Sequence, residues 1–161
     1  MPLAPDSTLP HLPVRDPGGA AEDLATLAAR GPALLYVFKA DCESSALGAR
    51  ALARLADLPG LAVAAIAQDD PDTARAFAAE HGLGPRVTLR LDAAPWTASD
   101  ALLVRSTPTW VLVAGGGRVV AVEEGWSRDA ANALAARAAA LAGASAVEVS
   151  FPADGPAFRP G

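Results

Sequence analysis

The chain has 161 residues, 52% of them hydrophobic, and a formal net charge of -5 at pH 7. This length and composition fit one domain with a sizeable core and exclude a disordered chain. The negative charge argues against a nucleic-acid partner. Because no apolar stretch reaches the ~18 residues that a membrane span needs, we expect no membrane partner either.

The first half of the chain alternates predicted helices and strands. Residues 1–20 are rich in proline and glycine and predict an extended lead-in. Residues 21–30 predict a helix, and the apolar run 33–39 predicts a buried strand. Residues 44–55 carry leucine and alanine at a spacing of four, which is typical of a helix, and the apolar residues 61–67 predict a second buried strand.

The next segment contains the clearest helix signals. Asp70 is a good N-cap, and Pro71 suits the first helical position. His81 and the glycine after it predict the end of that helix. Residues 87–91 alternate like a short strand, and 97–103 predict a short helix that starts with a capping box.

The last part predicts a hairpin and a terminal helix. Two apolar strands, 110–113 and 119–122, are joined by a run of three glycines. Ser127 predicts the cap of a helix over 128–141. Residues 147–161 predict a C-terminal extension with a short strand at its start and frayed residues after it.

Together these elements predict a single α/β domain over residues 21–146, between the lead-in and the extension. Alternating strands and helices favour a central mixed β-sheet with helices on both faces. Right-handed crossovers should place the two buried strands parallel at the centre of that sheet.

The single cysteine, Cys42, follows the first buried strand and precedes a predicted helix. The unpaired N–H groups and the dipole at a helix start favour the thiolate. Ser45 stands three residues later, so the chain has no second cysteine for an intrachain disulfide. Since residues 1–6 also lack the features of a secretory signal peptide, we expect a cytoplasmic protein.

Two segments resemble the thioredoxin-like superfamily. Residues 38–45 are similar to its strand–CxxC–helix segment, and residues 106–113 are similar to its cis-proline loop. The resemblance covers residues 21–143, with an insert before the loop that is closer to TlpA-like members. It implies a thioredoxin-like fold and a cis bond between Thr107 and Pro108, whose backbone would pair with an extended substrate.

The chain departs from the family pattern at several positions. Ser45 replaces the resolving cysteine, which makes this a monothiol CxxS variant. Tyr36 stands where the family keeps a buried acid, and Asp41 replaces the usual tryptophan. Lys39 occupies the place where a peroxiredoxin needs threonine, which argues against a peroxidase.

The expected chemistry is thiol–disulfide exchange or mixed-disulfide formation. Cys42 would attack a disulfide, and an external thiol such as glutathione or bacillithiol would resolve the product. Ser45 would donate a hydrogen bond to the thiolate. Lys39 favours the thiolate, whereas Asp41 and Glu43 oppose it. The expected partners are a client protein disulfide or a low-molecular-weight thiol.

The predicted site has three groups of residues. They are the catalytic residues Cys42 and Ser45, the substrate-binding residues Thr107 and Pro108, and the residues around the thiol, Lys39, Asp41 and Glu43.

Other interpretations of these residues stay open. In one alternative, Cys42 is an inert structural thiol and the chain is a redox-inactive module that binds a protein. A dimer linked through Cys42 is a third possibility. We expect no cofactor and no metal, because neither His11 nor His81 has a ligand pattern around it. The three tryptophans are expected in the core, and Arg50 and Arg54 on a solvated helix face.

Overall fold

The computed structural model of the chain describes residues 3–161. Within this range the strands are β1 (Pro13–Arg15), β2 (Ala21–Asp23), β3 (Ala33–Phe38), β4 (Ala62–Ala67), β5 (Val87–Leu91), β6 (Thr109–Ala114), β7 (Arg118–Glu124), β8 (Trp126–Ser127) and β9 (Phe158–Arg159). The α-helices are α1 (Ala25–Ala29), α2 (Glu43–Leu55), α3 (Pro71–Glu80), α4 (Thr97–Ala101) and α5 (Arg128–Ala142). None of these helices has both the length and the apolar character that a membrane span requires.

Seven strands form one mixed sheet in the order β2-β1-β5-β4-β3-β6-β7. Strands β3, β4 and β5 are parallel, β6 runs antiparallel to β3, and β7 runs antiparallel to β6. The two apolar runs of the sequence are therefore neighbours at the centre of the sheet, as predicted. Strands β8 and β9 form a separate antiparallel pair.

The sheet separates two hydrophobic clusters. Every residue of β3 is buried, and successive side chains alternate between the two clusters. Tyr36 and Phe38 join the cluster beneath α2, α3 and α5, whereas Leu35 and Val37 join the cluster beneath α1 and α4. The predicted α/β class with helices on both faces is confirmed.

Two of the three predicted helix caps are confirmed. The Asp70 carboxylate accepts a hydrogen bond from the Thr73 N–H at 2.9 Å, and the Ser127 hydroxyl accepts one from Ala130 at 3.2 Å. The predicted capping box of α4 is wrong. The carboxylate of Asp92, just beyond the end of β5, instead accepts hydrogen bonds from N–H groups in the first turn of that helix.

The lead-in predicted over residues 1–20 is wrong for residues 13–15, which form β1 in the sheet, and residues 1 and 2 of that prediction lie outside the described residues. Leu9, Leu12 and Val14 are buried, and β1 lies between β2 and β5. The predicted helix over 21–30 is also shorter than expected. The carboxylate of Asp23 accepts hydrogen bonds from the backbone of Leu12 and Ala25, which ends β2 just before α1 begins.

The C-terminal extension packs back onto the domain, and the predicted strand over 147–151 is absent. Val149 is fully buried, and the side chain of Asn132 binds the backbone of Val149 and Ser150. The chain then makes one 3-10 turn, Pro152–Asp154, and returns as β9 to pair with β8. The predicted frayed end thus packs against α2 and α5.

Two predictions about side-chain burial are also corrected. Trp110 and Trp126 are in the core with exposures of 2% and 3%, but Trp96 is 46% exposed. Trp96 adopts a left-handed conformation just before α4. Arg54 is not simply solvated, because its guanidinium binds the Asp154 carboxylate at 2.5 and 3.1 Å.

Candidate functional site

Cys42 lies at the junction between β3 and α2. It is the N-cap residue of α2, with φ -95° and ψ 115°, and its side chain is partly exposed. The sulfur therefore lies at the helix end where unpaired N–H groups favour negative charge.

The second motif meets the cysteine in space although it is distant in sequence. The Cys42 Sγ lies 3.1 Å from the carbonyl oxygen of Thr107, to which the thiol donates a hydrogen bond. The peptide bond between Thr107 and Pro108 is cis. The structure thus brings Cys42 together with the predicted substrate-binding residues.

Hydrogen bonds lower the pKa of the Cys42 thiol below its ordinary value. Partial burial is the largest influence and raises this pKa. It is outweighed by side-chain hydrogen bonds from Ser45 and Thr107 and by the backbone N–H groups of Ser45 and Ser44. Cys42 is consequently ionised at lower pH than an ordinary cysteine, which increases its thiolate fraction near neutral pH.

The charged residues of the predicted thiol environment play a smaller part. Lys39 and Asp41 are exposed, and the carboxylate of Glu43 forms an ion pair with Arg159. The main influences on the Cys42 pKa are burial and hydrogen bonds. None of these hydrogen bonds comes from the side chain of Lys39, Asp41 or Glu43. The backbone N–H of Lys39 instead donates to the Ser45 hydroxyl at 3.5 Å.

Tyr36 fills the position at which the sequence resemblance leads us to expect a buried acid. It is fully buried, and its hydroxyl donates to the carbonyl oxygen of Ser45 at 2.6 Å. Burial, followed by the charge of Cys42, raises the Tyr36 pKa well above 10.0, although a hydrogen bond with Ser45 partly offsets this. Tyr36 is therefore neutral and holds the first turn of α2, without serving as a base.

Gly48 allows α2 to approach Tyr36 this closely. A Cβ at this position would lie 2.5 Å from the Tyr36 hydroxyl oxygen and 2.8 Å from the ring of Trp110. Since both neighbours belong to the buried core, no side chain fits here. The glycine in the helix thus determines the distance between α2 and the sheet.

The C-terminal residues that reach this site were not predicted from the sequence. We call residues 158–161 the strap. The Ser44 hydroxyl donates to the carbonyl oxygen of Pro160 at 2.5 Å, and Gly161 lies against Ser106 and Thr107. The short pairing of β8 with β9 is too brief to give a sequence pattern, so no local signal reveals this placement.

Among the described residues, no group of three or more His, Cys, Asp and Glu side chains is arranged to hold a metal ion. No protein-family model matches the sequence, and no curated protein matches it either. Solved structures do match it in fold.

A hypothetical protein from Sinorhizobium meliloti is 22% identical with a TM-score of 0.71, covering 91% of this chain and 89% of that protein. A putative thiol:disulfide interchange protein DsbE from Chlorobium tepidum is 18% identical with a TM-score of 0.67, covering 82% of this chain and 93% of that one. A secreted Mycobacterium tuberculosis disulfide oxidoreductase is 22% identical with a TM-score of 0.60, covering 68% of this chain and 81% of that one. The strand order, the helices on both faces and these matches show that the chain has the thioredoxin-like fold.

Proposed function

We propose that the chain carries out thiol–disulfide exchange through Cys42, with an external thiol as the resolving group. The observation that carries this proposal is the placement of the Cys42 sulfur at the start of α2, 3.1 Å from the Thr107 carbonyl of the cis-proline loop. Similar folds in a protein named as a disulfide oxidoreductase and in one named as a putative thiol:disulfide interchange protein support it.

The proposed reaction has two steps. The Cys42 thiolate attacks one sulfur of a disulfide, a new S–S bond joins the two molecules, and the other sulfur leaves as a thiolate. A second, external thiolate then attacks the mixed disulfide and releases Cys42 as a thiolate. The oxidising equivalent passes from one molecule to the other, and Cys42 returns to its starting state.

The proposed roles of the surrounding residues follow their contacts. Ser45 stabilises the Cys42 thiolate with its hydroxyl hydrogen, and Thr107 and Pro108 form the wall that faces the incoming disulfide. Because burial raises the Tyr36 pKa well above its ordinary value, Tyr36 keeps its proton and is a poor acid for the leaving thiolate.

The first test is the rate of Cys42 alkylation by iodoacetamide as a function of pH. We expect an apparent pKa below the ~8.5 of a free cysteine, and a mixed disulfide detectable by mass after incubation with an oxidised low-molecular-weight thiol. Ser45→Ala should raise the apparent pKa, and Cys42→Ser should remove both signals. An apparent pKa at or above ~8.5, without mixed disulfide, would mean a structural thiol.

A second candidate function is a redox-inactive module that binds a protein partner. The neutral Tyr36 and the replacement of the second cysteine by Ser45 favour it. A partner that co-purifies equally with the wild-type chain and with Cys42→Ser would support this function. Mass measurement with and without reductant separates both functions from a dimer linked through Cys42.

We propose the cytoplasm as the compartment, because a single thiol that must stay reduced suits a reducing environment. The similar M. tuberculosis protein is secreted, so the compartment needs its own measurement. Fractionation of the source cells provides it. Recovery outside the cytoplasm would contradict this proposal without bearing on the Cys42 chemistry.

A further inference from the structure

The strap lies in the gap between the start of α2 and the cis-proline loop. On one side, the Ser44 hydroxyl binds the Pro160 carbonyl oxygen at 2.5 Å. On the other side, a Cβ at Gly161 would lie 2.7 Å from the Ser106 hydroxyl oxygen and 2.8 Å from the Thr107 carbonyl oxygen. The strap therefore touches both walls of the site.

Gly125 provides a third contact beneath the strap. A Cβ at Gly125 would lie 2.8 Å from the backbone nitrogen of Gly161 and 3.1 Å from the Arg159 carbonyl oxygen. The N–H of Gly125 also donates to the Pro108 carbonyl oxygen at 2.8 Å. The backbone of the strap is thus in direct contact with the backbone that surrounds the cis-proline loop.

One oxygen atom links the strap to the cysteine. The Thr107 carbonyl oxygen accepts the hydrogen bond from Cys42 and would also lie 2.8 Å from a Cβ at Gly161. An extended peptide that paired with this loop would need its backbone ~4.8 Å from the loop backbone. The strap already lies against the same loop at contact distance, yet the side chain of Cys42 remains partly exposed.

The strap is held by several contacts of its own. Strand β9 pairs with β8, so that Arg159 lies opposite Trp126. The Arg128 N–H donates to the Ala157 carbonyl oxygen at 2.8 Å, just before the strap begins. Arg159 adds its ion pair with Glu43, the residue that follows the cysteine.

We propose that the strap excludes extended peptide segments from the site and leaves Cys42 to low-molecular-weight disulfides as its substrate class. This inference rests on the proposed exchange chemistry of Cys42. A small disulfide can react when one of its sulfur atoms reaches the partly exposed Cys42 thiolate. A peptide disulfide brings backbone on both sides of its sulfur, and the strap occupies the space where that backbone would lie.

The step itself is the exchange described above. The Cys42 thiolate attacks one sulfur of the small disulfide and forms a mixed disulfide, and the other half leaves as a thiolate. The thiolate of a different small thiol then attacks the mixed disulfide at the sulfur that came from the small disulfide. The new disulfide joins these two small molecules and Cys42 leaves as a thiolate, so the oxidising equivalent has passed from one small molecule to the other.

The test compares two uncharged probes on the full chain, 2-hydroxyethyl disulfide and a short uncharged peptide closed by one disulfide. For each chain, the rate constant of Cys42 with the peptide disulfide is divided by its rate constant with the small disulfide. This ratio is then divided by the same ratio measured for N-acetylcysteine. Because a change in the Cys42 pKa acts on both rates alike, this ratio reports access to the sulfur. We expect it to lie well below one for the wild-type chain.

Two variants release the strap by different means. Arg159→Glu puts a like charge opposite Glu43, and Gly161→Ala places a Cβ against the Thr107 carbonyl. Each should raise the ratio about tenfold, the factor that a ~1.4 kcal/mol shift in the equilibrium between closed and open strap produces. Arg86→Glu is the matched control, because it breaks a similar exposed pair with Asp57 beyond the opposite end of α2.

The outcomes separate the two proposals. A low ratio that rises in both variants but not in Arg86→Glu supports the inference. A ratio near one in the wild-type chain, or a low ratio that neither variant changes, overturns the inference while leaving the exchange chemistry intact. If Cys42 reacts with neither probe in any chain, the proposed function is wrong and the inference falls with it.

Discussion

The two parts of the C-terminal extension are held in different ways. Residues 149–154, which we call the anchor, include the fully buried Val149 and bind Asn132 and Arg54. The strap, residues 158–161, is exposed at every position. It is held by a strand pair of two residues on each side, one serine hydroxyl and an exposed ion pair.

This difference indicates that the anchor and the strap open at different free energies. Buried apolar contacts and satisfied backbone groups open only when the surrounding structure opens, whereas exposed contacts open locally. The anchor therefore keeps the strap close to Cys42 even when the strap itself is displaced. The predictions below test this division, from the largest expected effect to the smallest.

The largest effect is expected from Asn132→Ala. The Asn132 amide accepts hydrogen bonds from the N–H groups of Val149 and Ser150 at 2.8 and 3.1 Å, and donates to the Ser150 carbonyl oxygen at 3.0 Å. Leaving these groups unpaired should lower the free energy of unfolding by about 3 kcal/mol, measured by urea denaturation. Asn132→Asp retains the acceptor and should cost less. Equal losses would contradict the proposed role of the two N–H groups.

A smaller loss is expected from Arg54→Met. The Arg54 guanidinium binds the Val149 carbonyl oxygen at 2.9 Å and lies 5.2 Å from the centre of the Phe151 ring. Its removal should lower the free energy of unfolding by about 1–2 kcal/mol. Arg50→Met is the control, because Arg50 is more exposed and makes only longer contacts with Asp154. Similar losses in the two variants would contradict the distinction drawn between these arginines.

Acid should weaken the anchor through Asp154. Hydrogen bonds from the Arg54 guanidinium and from the Phe151 N–H hold the pKa of Asp154 well below its ordinary value of 3.8. A lowered pKa in the folded state adds stability above pH 3.8, and this stability is lost as the pH falls through the folded-state pKa. Urea denaturation of the wild-type chain should show this loss below pH 3.8, and Asp154→Asn should show a shallower decline. Identical profiles would exclude Asp154 as the cause.

The smallest effect on global stability is expected from Ser44→Ala. Loss of the hydroxyl contact with Pro160 should change the free energy of unfolding by no more than about 0.5 kcal/mol, because the strap is exposed and opens locally. Amide hydrogen exchange in the strap should nevertheless become faster. The amides of Val149 and Ser150 serve as the internal control and should exchange as in the wild-type chain. Faster exchange of both segments would mean that anchor and strap open as one unit.

The centre of the fold could be predicted from the sequence because its signals are local. The apolar run of β4 and the Asp70–Pro71 start of α3 lie within single elements, and each directly implies its structure. Strand β1 has three residues and depends on pairing with distant β5, so its pattern is too short to interpret. Arg54 looked solvated because its partner, Asp154, lies 100 residues away.

The candidate site divides in the same way. The meeting of Cys42 with Thr107 could be predicted, because both belong to motifs of a known fold. The strap could not, since no property of Gly161 indicates that it lies against Thr107. The function of Tyr36 was also hidden, because its hydrogen bond to the Ser45 carbonyl depends on how close Gly48 lets α2 approach.

The serine at position 45 has a consequence for how the proposed site would respond to its surroundings. A dithiol site oxidised by a small disulfide releases two small thiols, so its oxidised fraction depends on the total concentration of the pool as well as on its composition. Exchange at Cys42 releases only one. Under mass action, the fraction of Cys42 in a mixed disulfide then follows the simple ratio of disulfide to thiol, whatever the size of the pool. With Ser45 in place, the fraction of Cys42 in a mixed disulfide would depend on the composition of a thiol pool. Diluting or concentrating that pool would leave this fraction unchanged.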